Sequence, residues 1–167
     1  MKRVLLPAII AGSYLTAGPA LAATATNTFN ATMTITAECR VASTNTLAFG
    51  SAGVWTSAVT TSAALEVQCT NGTEYQIGLG FSANASAGTQ RRMKHGTNAE
   101  YVNYDLFTDA GFTTAWGDTV DTDTNGHTTR KTGNGAAQSY TVYGRVPVQT
   151  VPTPGAYSDT VTVTVTY

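Results

Sequence analysis

The chain has 167 residues, nine Lys plus Arg against ten Asp plus Glu, a net charge of −1 and only 11% charged residues. With no basic excess it has no electrostatic footprint for nucleic acid or for an acidic membrane surface. Low charge with abundant Thr, Ala and Gly, yet many β-branched and aromatic residues, fits an ordered all-β chain and excludes disorder.

Lys2 and Arg3 precede a mostly apolar run from Val4 to Ala17, and Ala20-Leu21-Ala22 puts small residues where a signal peptidase reads. Residues 1–22 are therefore expected to be an export signal. They are not expected to span a membrane, because Pro7, Gly12, Ser13, Gly18 and Pro19 interrupt a run shorter than the ~20 apolar residues a spanning helix needs. Without the leader, seven cationic residues face ten acidic ones, and about 145 residues remain, the size of one domain.

From Phe29 to Cys39 apolar residues (Phe29, Ala31, Met33, Ile35, Ala37, Cys39) alternate with polar ones (Asn30, Thr32, Thr34, Thr36, Glu38), which is the pattern of a one-faced strand. Such a strand must bury its face in its own sheet or in a neighbour's. Cys39 and Cys69 are the two cysteines of the chain, both on the apolar parity of their runs. In an oxidising compartment they are expected to pair with each other, closing a loop that stabilises the domain by about 3–4 kcal/mol.

Val41, Leu47 and Phe49 predict a second, less regular strand within 40–50, and residues 51–61 read as loop. Leu65, Val67 and Cys69 alternate with polar residues, Asn71-Gly72 follows, and Tyr75, Ile77, Leu79 and Phe81 resume the alternation. This predicts a hairpin, since Asn-Gly tolerates the positive φ of tight hairpin turns. Arg91-Arg92-Met93-Lys94 reads as a solvated basic cluster at a loop or strand end, too small for a phosphate-binding surface. Further strands are expected at Val102–Leu106, Tyr140–Val146 and Val161–Tyr167, with a long hydrophilic connection over 117–137. Nothing in the mature chain carries helical periodicity, so the expected fold class is all-β, a two-sheet Greek-key sandwich of the immunoglobulin-like kind.

Catalytic chemistry finds no foothold, and no enzymatic function is expected. His95 and His127 lie in polar segments without metal-ligand or nucleophile spacing, and both read as surface loop histidines. Gly80-Phe81-Ser82-Ala83-Asn84 lacks the second glycine and the following helix of a nucleophile elbow. Asp121-Thr122-Asp123-Thr124-Asn125-Gly126 opens like a calcium loop, but Thr132 stands where the bidentate glutamate belongs, so an ordinary Asx-rich turn is expected; a weak site would have to recruit Asp118. Neither GxxxxGK[ST] nor GxGxxG occurs, and no cofactor is expected. Trp55 and Trp116 are sugar-stacking candidates, though a tryptophan in a small sandwich is more often packing.

An N-terminal strand that leaves its own domain could complete the sheet of another copy, with backbone hydrogen bonds giving affinity and alternating side chains filling pockets. Burying Phe29, Met33 and Ile35, with Ala31 as the small position between them, would contribute about 5–9 kcal/mol before ordering costs. Head-to-tail exchange of that kind does not close and makes a filament.

The chain resembles the Csu-type pilins of the archaic chaperone-usher pathway, the group whose domain is also called spore coat protein U. The resemblance is carried by Cys39 after the alternating strand, Leu47-Ala48-Phe49-Gly50, Cys69-Thr70-Asn71-Gly72, Tyr75-Gln76-Ile77, Arg91-Arg92-Met93, Tyr101-Val102-Asn103-Tyr104, Trp116-Gly117-Asp118, Tyr143-Gly144-Arg145-Val146-Pro147 and Gly155-Ala156-Tyr157-Ser158-Asp159 with its closing Thr-Val run. It implies an incomplete sandwich, formed by residues 37–167, whose missing strand is lent first by a periplasmic chaperone and then by residues 23–36 of the next subunit. Phe29, Ala31, Met33 and Ile35 would be the donor residues. Val161, Val163, Val165 and Tyr167 would border the acceptor groove and face the chaperone. An outer-membrane usher and other copies of the chain or related pilins complete the implied partners, on the route through the periplasm to a pilus on the cell surface that serves attachment and biofilm formation. Two other readings are a secreted adhesin or carbohydrate-binding sandwich and a self-complete coat protein.

Overall fold

The computed structural model describes residues 22–82, 84–86, 90–118 and 130–167. It divides the chain into a leading unit that ends at Thr34 and a body from Ile35 to Tyr167. Within the leading unit, residues 22–34 are fully exposed and belong to no strand. The alternation of Phe29–Cys39 is thus present without a ladder until its last residue, and Phe29 (91%), Met33 (88%) and Ile35 (76%) stay open to solvent.

Two β-sheets and no helix make up the described body. The strands are β1 (Cys39–Thr44), β2 (Val59–Cys69), β3 (Glu74–Leu79), β4 (Arg91–His95), β5 (Tyr101–Phe107), β6 (Lys131–Thr132), β7 (Ala137–Val146), β8 (Tyr157–Ser158) and β9 (Val163–Thr166). Six form one antiparallel sheet in the order β1-β2-β7-β5-β4-β8, and three form the other in the order β6-β3-β9. Strand alternation drives both. Leu65, Val67 and Cys69 of β2, Val142 and Val146 of β7, and Val102, Tyr104 and Leu106 of β5 point inward from the large sheet, facing Tyr75, Ile77 and Leu79 of β3.

Asn71-Gly72 makes the tight turn its sequence predicts, with Gly72 at φ 81°, but the hairpin does not exist. β2 pairs with β1 and β7, whereas β3 pairs with β6 and β9, so this turn carries the chain from one sheet to the other. The physical reason lies in the two runs: both bury one face, and placed in opposite sheets they bury those faces against each other. Gly72 N–H donates to Gly133 O (2.9 Å) and Gly133 N–H to Thr73 O (2.7 Å), fixing the crossover.

One covalent bond lies within the large sheet, and two ties hold the sheets together. Cys39 and Cys69, opposite each other in the β1–β2 ladder, are joined by a disulfide. The Tyr75 hydroxyl of the small sheet bonds the Tyr140 hydroxyl (2.5 Å) and donates to Gln138 Oε1 (3.0 Å) on β7, and burial pushes the Tyr140 hydroxyl pKa far up. Trp116, 1% exposed, donates its indole N–H to Ile77 O (2.9 Å) while its backbone N–H donates to Leu106 O (2.7 Å), one bond to each sheet.

Arg91 and His95 correct the expectation of a solvated cluster and a surface histidine. Both point inward from β4 and are buried. The Arg91 guanidinium donates to the carbonyls of Leu79, Gly80 (3.4 Å) and Trp116 (2.9 Å) and stacks 4.6 Å from the Phe81 ring centroid, so oriented dipoles and a π face replace its water. Burial lowers its pKa, while Tyr104, Asp105, Asp118 and Asp159 oppose that shift. His95 Nδ1 accepts N–H bonds from Thr97 (3.2 Å) and Asn98 (3.1 Å), capping the β4–β5 turn. Its ring meets Tyr157 edge-on at 4.9 Å. The strand alternation of 91–95 was the missed signal, since it puts the odd positions on the face occupied by the core.

Candidate functional site

The sheets are tied at the tyrosine pair and at Trp116, and elsewhere the sandwich holds an apolar groove of about 1380 Å³. Its floor comes from the large sheet through Leu65, Val102, Tyr104, Leu106, Val142 and Val146. Residues 44–55 supply one wall, with Leu47, Phe49 and Trp55, and residues 151–161 and Val163 supply another.

The first wall is apolar by alternation but not a strand. Among the described residues, no backbone hydrogen bond is made by positions 46–57, and the second strand expected within 40–50 exists only as β1, which ends at Thr44. Leu47 and Phe49 nonetheless reach the core, because Gly144 in the middle of β7 leaves room for them. A Cβ there would stand 2.7 Å from Leu47 Cδ2 and 2.9 Å from Phe49 Cζ. Phe49 also meets Tyr104 edge-to-face at 6.0 Å. Tyr104 is anchored in turn by donating to Asp159 Oδ2 (2.7 Å), while Asn84 donates to Asp159 Oδ1 (3.0 Å). Burial first, and the Asp159 bond second, push the Tyr104 hydroxyl far above its ordinary pKa and keep it a neutral donor.

The second wall leads into β9. One edge of β9 is hydrogen-bonded to β3 in the register Gln76↔Thr166 to Leu79↔Val163, extended by Gly80 N–H to Thr162 O (2.8 Å). The other edge is the end of the small sheet, with no partner strand among the described residues. Upstream, Glu100 clasps this wall to the β4–β5 turn: its carboxylate accepts from Thr153 N–H (2.8 Å), Thr153 Oγ1 (2.8 Å) and Tyr157 OH (3.3 Å). Those bonds, the Thr153 hydroxyl foremost, lower the Glu100 pKa.

Of the C-terminal residues singled out in the sequence, Val161 and Val163 line the groove, Val165 packs against the core, and Tyr167 is 59% exposed at the end of the chain. Trp55 lines the groove and Trp116 is sealed in the core, which removes Trp116 as a sugar platform. Leu47, Phe49, Trp55 and Tyr104 are groove residues that the sequence reading did not single out as such; the alternation of Leu47 and Phe49 was their signal. Among the described residues no group of three His, Cys, Asp or Glu is placed to hold a metal ion. Asp121–Asn125 and His127 lie outside the described residues, as do residues 1–21 of the expected leader. No helix of the described residues is long and apolar enough to cross a membrane.

The described body is an immunoglobulin-like sandwich with an apolar groove beside the edge of β9 that no described strand pairs with. The chain belongs to the Spore Coat Protein U domain family, whose model matches residues 25–164. It is 32% identical over 185 residues to Protein U of Myxococcus xanthus, a match covering 100% of this chain and 98% of that protein. Among solved structures it is similar to a chain in the CsuC-CsuE chaperone–tip adhesion subunit pre-assembly complex from the archaic chaperone-usher Csu pili of Acinetobacter baumannii. That likeness has a TM-score of 0.52 and 25% identity over 80% of this chain, which spans about 40% of the solved one. A chaperone–tip adhesin complex of CFA/I fimbriae biogenesis is also similar, at 13% identity and a TM-score of 0.48 over 78% of this chain and 41% of that one. Family and fold are those of structural pilus subunits, not of enzymes.

Proposed function

We propose that the protein is a structural subunit of a chaperone-usher pilus that polymerises head-to-tail by donor-strand exchange. The observation that carries this reading is the groove along the unpaired edge of β9, in a chain whose leading segment displays Phe29, Ala31, Met33 and Ile35 unburied. Residues 23–36 of one copy supply the strand and residues 37–167 of the next accept it. β9 offers its backbone edge, Val161 and Val163 line the pocket beneath, and Val165 and Tyr167 continue the same parity. Before assembly a periplasmic chaperone fills the groove, and an outer-membrane usher passes the subunit to the cell surface, where the fibre serves attachment and biofilm formation. The leader over 1–22 provides the export step. The similarity to a subunit of archaic Csu pili in complex with its chaperone supports this partner.

The test is expression of the full chain with a chaperone and usher, followed by unboiled detergent gels. Ladders of oligomers are expected for the parent chain. Deletion of residues 23–36 should abolish them while a chaperone complex persists. Monomer alone from the parent chain overturns the reading, and a deletion that lowers the stability of the isolated domain instead marks a self-complete coat protein.

A further inference from the structure

Trp55 sits on the wall of the groove that no strand pairs with, half-buried and packed against the core. Its indole N–H is shielded from solvent and meets no acceptor. Among the described residues only one other buried side-chain polar atom is in that condition, His95 Nε2, whose ring is already committed to the turn it caps. A buried donor left unpaired is costly, and an indole nitrogen can only donate. The groove therefore holds one directional demand: whatever fills it should bring an acceptor to Trp55.

Over 29–35 the occupant's inward side chains cannot supply that acceptor. On the inward parity of 29–35, Phe29, Ala31, Met33 and Ile35 carry no oxygen beyond the main chain, and Asn30, Thr32 and Thr34 fall on the opposite parity; Asn27, on the inward parity ahead of this run, has its Oδ1 engaged by Thr28 N–H (2.8 Å). An extended strand, however, turns main-chain carbonyls toward both flanks. With β9 on one flank, the other flank faces positions 46–55, where no ladder is formed. We infer that Trp55 Nε1–H is the hydrogen-bond donor that engages a main-chain carbonyl of the inserted segment of a second copy. It is a partner-binding residue that reads extended backbone and not side-chain identity. This rests on the strand-exchange reading above.

Trp55→Phe keeps an aromatic ring in the wall and deletes the donor. Two quantities are compared with the parent chain: the rate at which ladders dissociate in detergent on heating, and the urea unfolding of the monomeric full chain. Loss of one hydrogen bond made only in the assembled state predicts about tenfold faster dissociation. The monomer should be unchanged or slightly more stable, since it loses an unpaired donor. Equal dissociation rates, or a monomer weakened as much as the fibre, overturn the inference and leave Trp55 as packing alone. A parent chain that forms no ladder removes the strand-exchange reading itself and this inference with it, whereas a failure confined to Trp55→Phe leaves that reading standing.

Discussion

Two stretches of this chain carry the same pattern and meet different fates. Phe29–Cys39 and Val161–Tyr167 both alternate apolar residues with Thr or its polar equivalents. The second builds β9, bonded to β3 along one edge with Val163 and Val165 packed on the core, while the first stays outside any ladder and exposed as far as Ala37, and Glu38, still exposed, meets Thr70 through its backbone. Alternation states that a strand has one wet and one dry face. It does not state which molecule supplies the dry side.

The sharpest break of this comparison is at Arg91, which fixes the junction between β3 and the strand end that β9 continues from. Arg91→Ala strands the carbonyls of Leu79, Gly80 and Trp116 and leaves a void, and should cost about 3–5 kcal/mol in urea unfolding. Reducing the Cys39–Cys69 bond, or replacing both cysteines by serine, should cost about 3–4 kcal/mol and lower the melting temperature accordingly.

The comparison sharpens when one substitution is made in both stretches. Val163→Ser should destabilise the monomer by about 1–2 kcal/mol, because it removes packed apolar volume. Met33→Ser should leave the monomer within about 0.5 kcal/mol of the parent, because nothing is packed on it there. Both should weaken the detergent-resistant ladder. A monomer equally sensitive to both would show that the leading stretch is already buried in its own domain.

The smallest effect is expected from acid. Glu100 has a lowered folded-state pKa, so its contribution to stability is fully present above the ordinary value of 4.5 and is lost as pH falls through the folded value. Glu100→Gln should flatten the acid limb of a pH–stability curve below about pH 5 and leave its neutral plateau little changed.

Strand positions and inward parity were legible in the sequence because a two-residue period is local information. So was the disulfide, since only two cysteines exist. Partner choice was not: Asn71-Gly72 gives the same turn whether the chain doubles back in one sheet or crosses to the other, and burial of both flanking faces decides for crossing. Arg91 was unreadable for another reason. A cation stays buried only where carbonyls from Leu79, Gly80 and Trp116 converge, and those residues are brought together by topology, not by sequence proximity. The groove wall at 46–55 falls between these cases, with Leu47 and Phe49 visible as apolar but the absence of a ladder visible only in three dimensions.

The crosslink at Cys39 lies immediately after the exposed leading stretch, directly opposite Cys69 at the far end of β2. In a fibre whose subunits hold on to one another by their leading segments, a tensile load enters each body at that point. The covalent bond hands the pull to β2, an eleven-residue central strand flanked on both sides, so that the short edge strand β1 is not peeled away residue by residue. The mechanical weak point then shifts from the subunit's own fold to the exchanged strand.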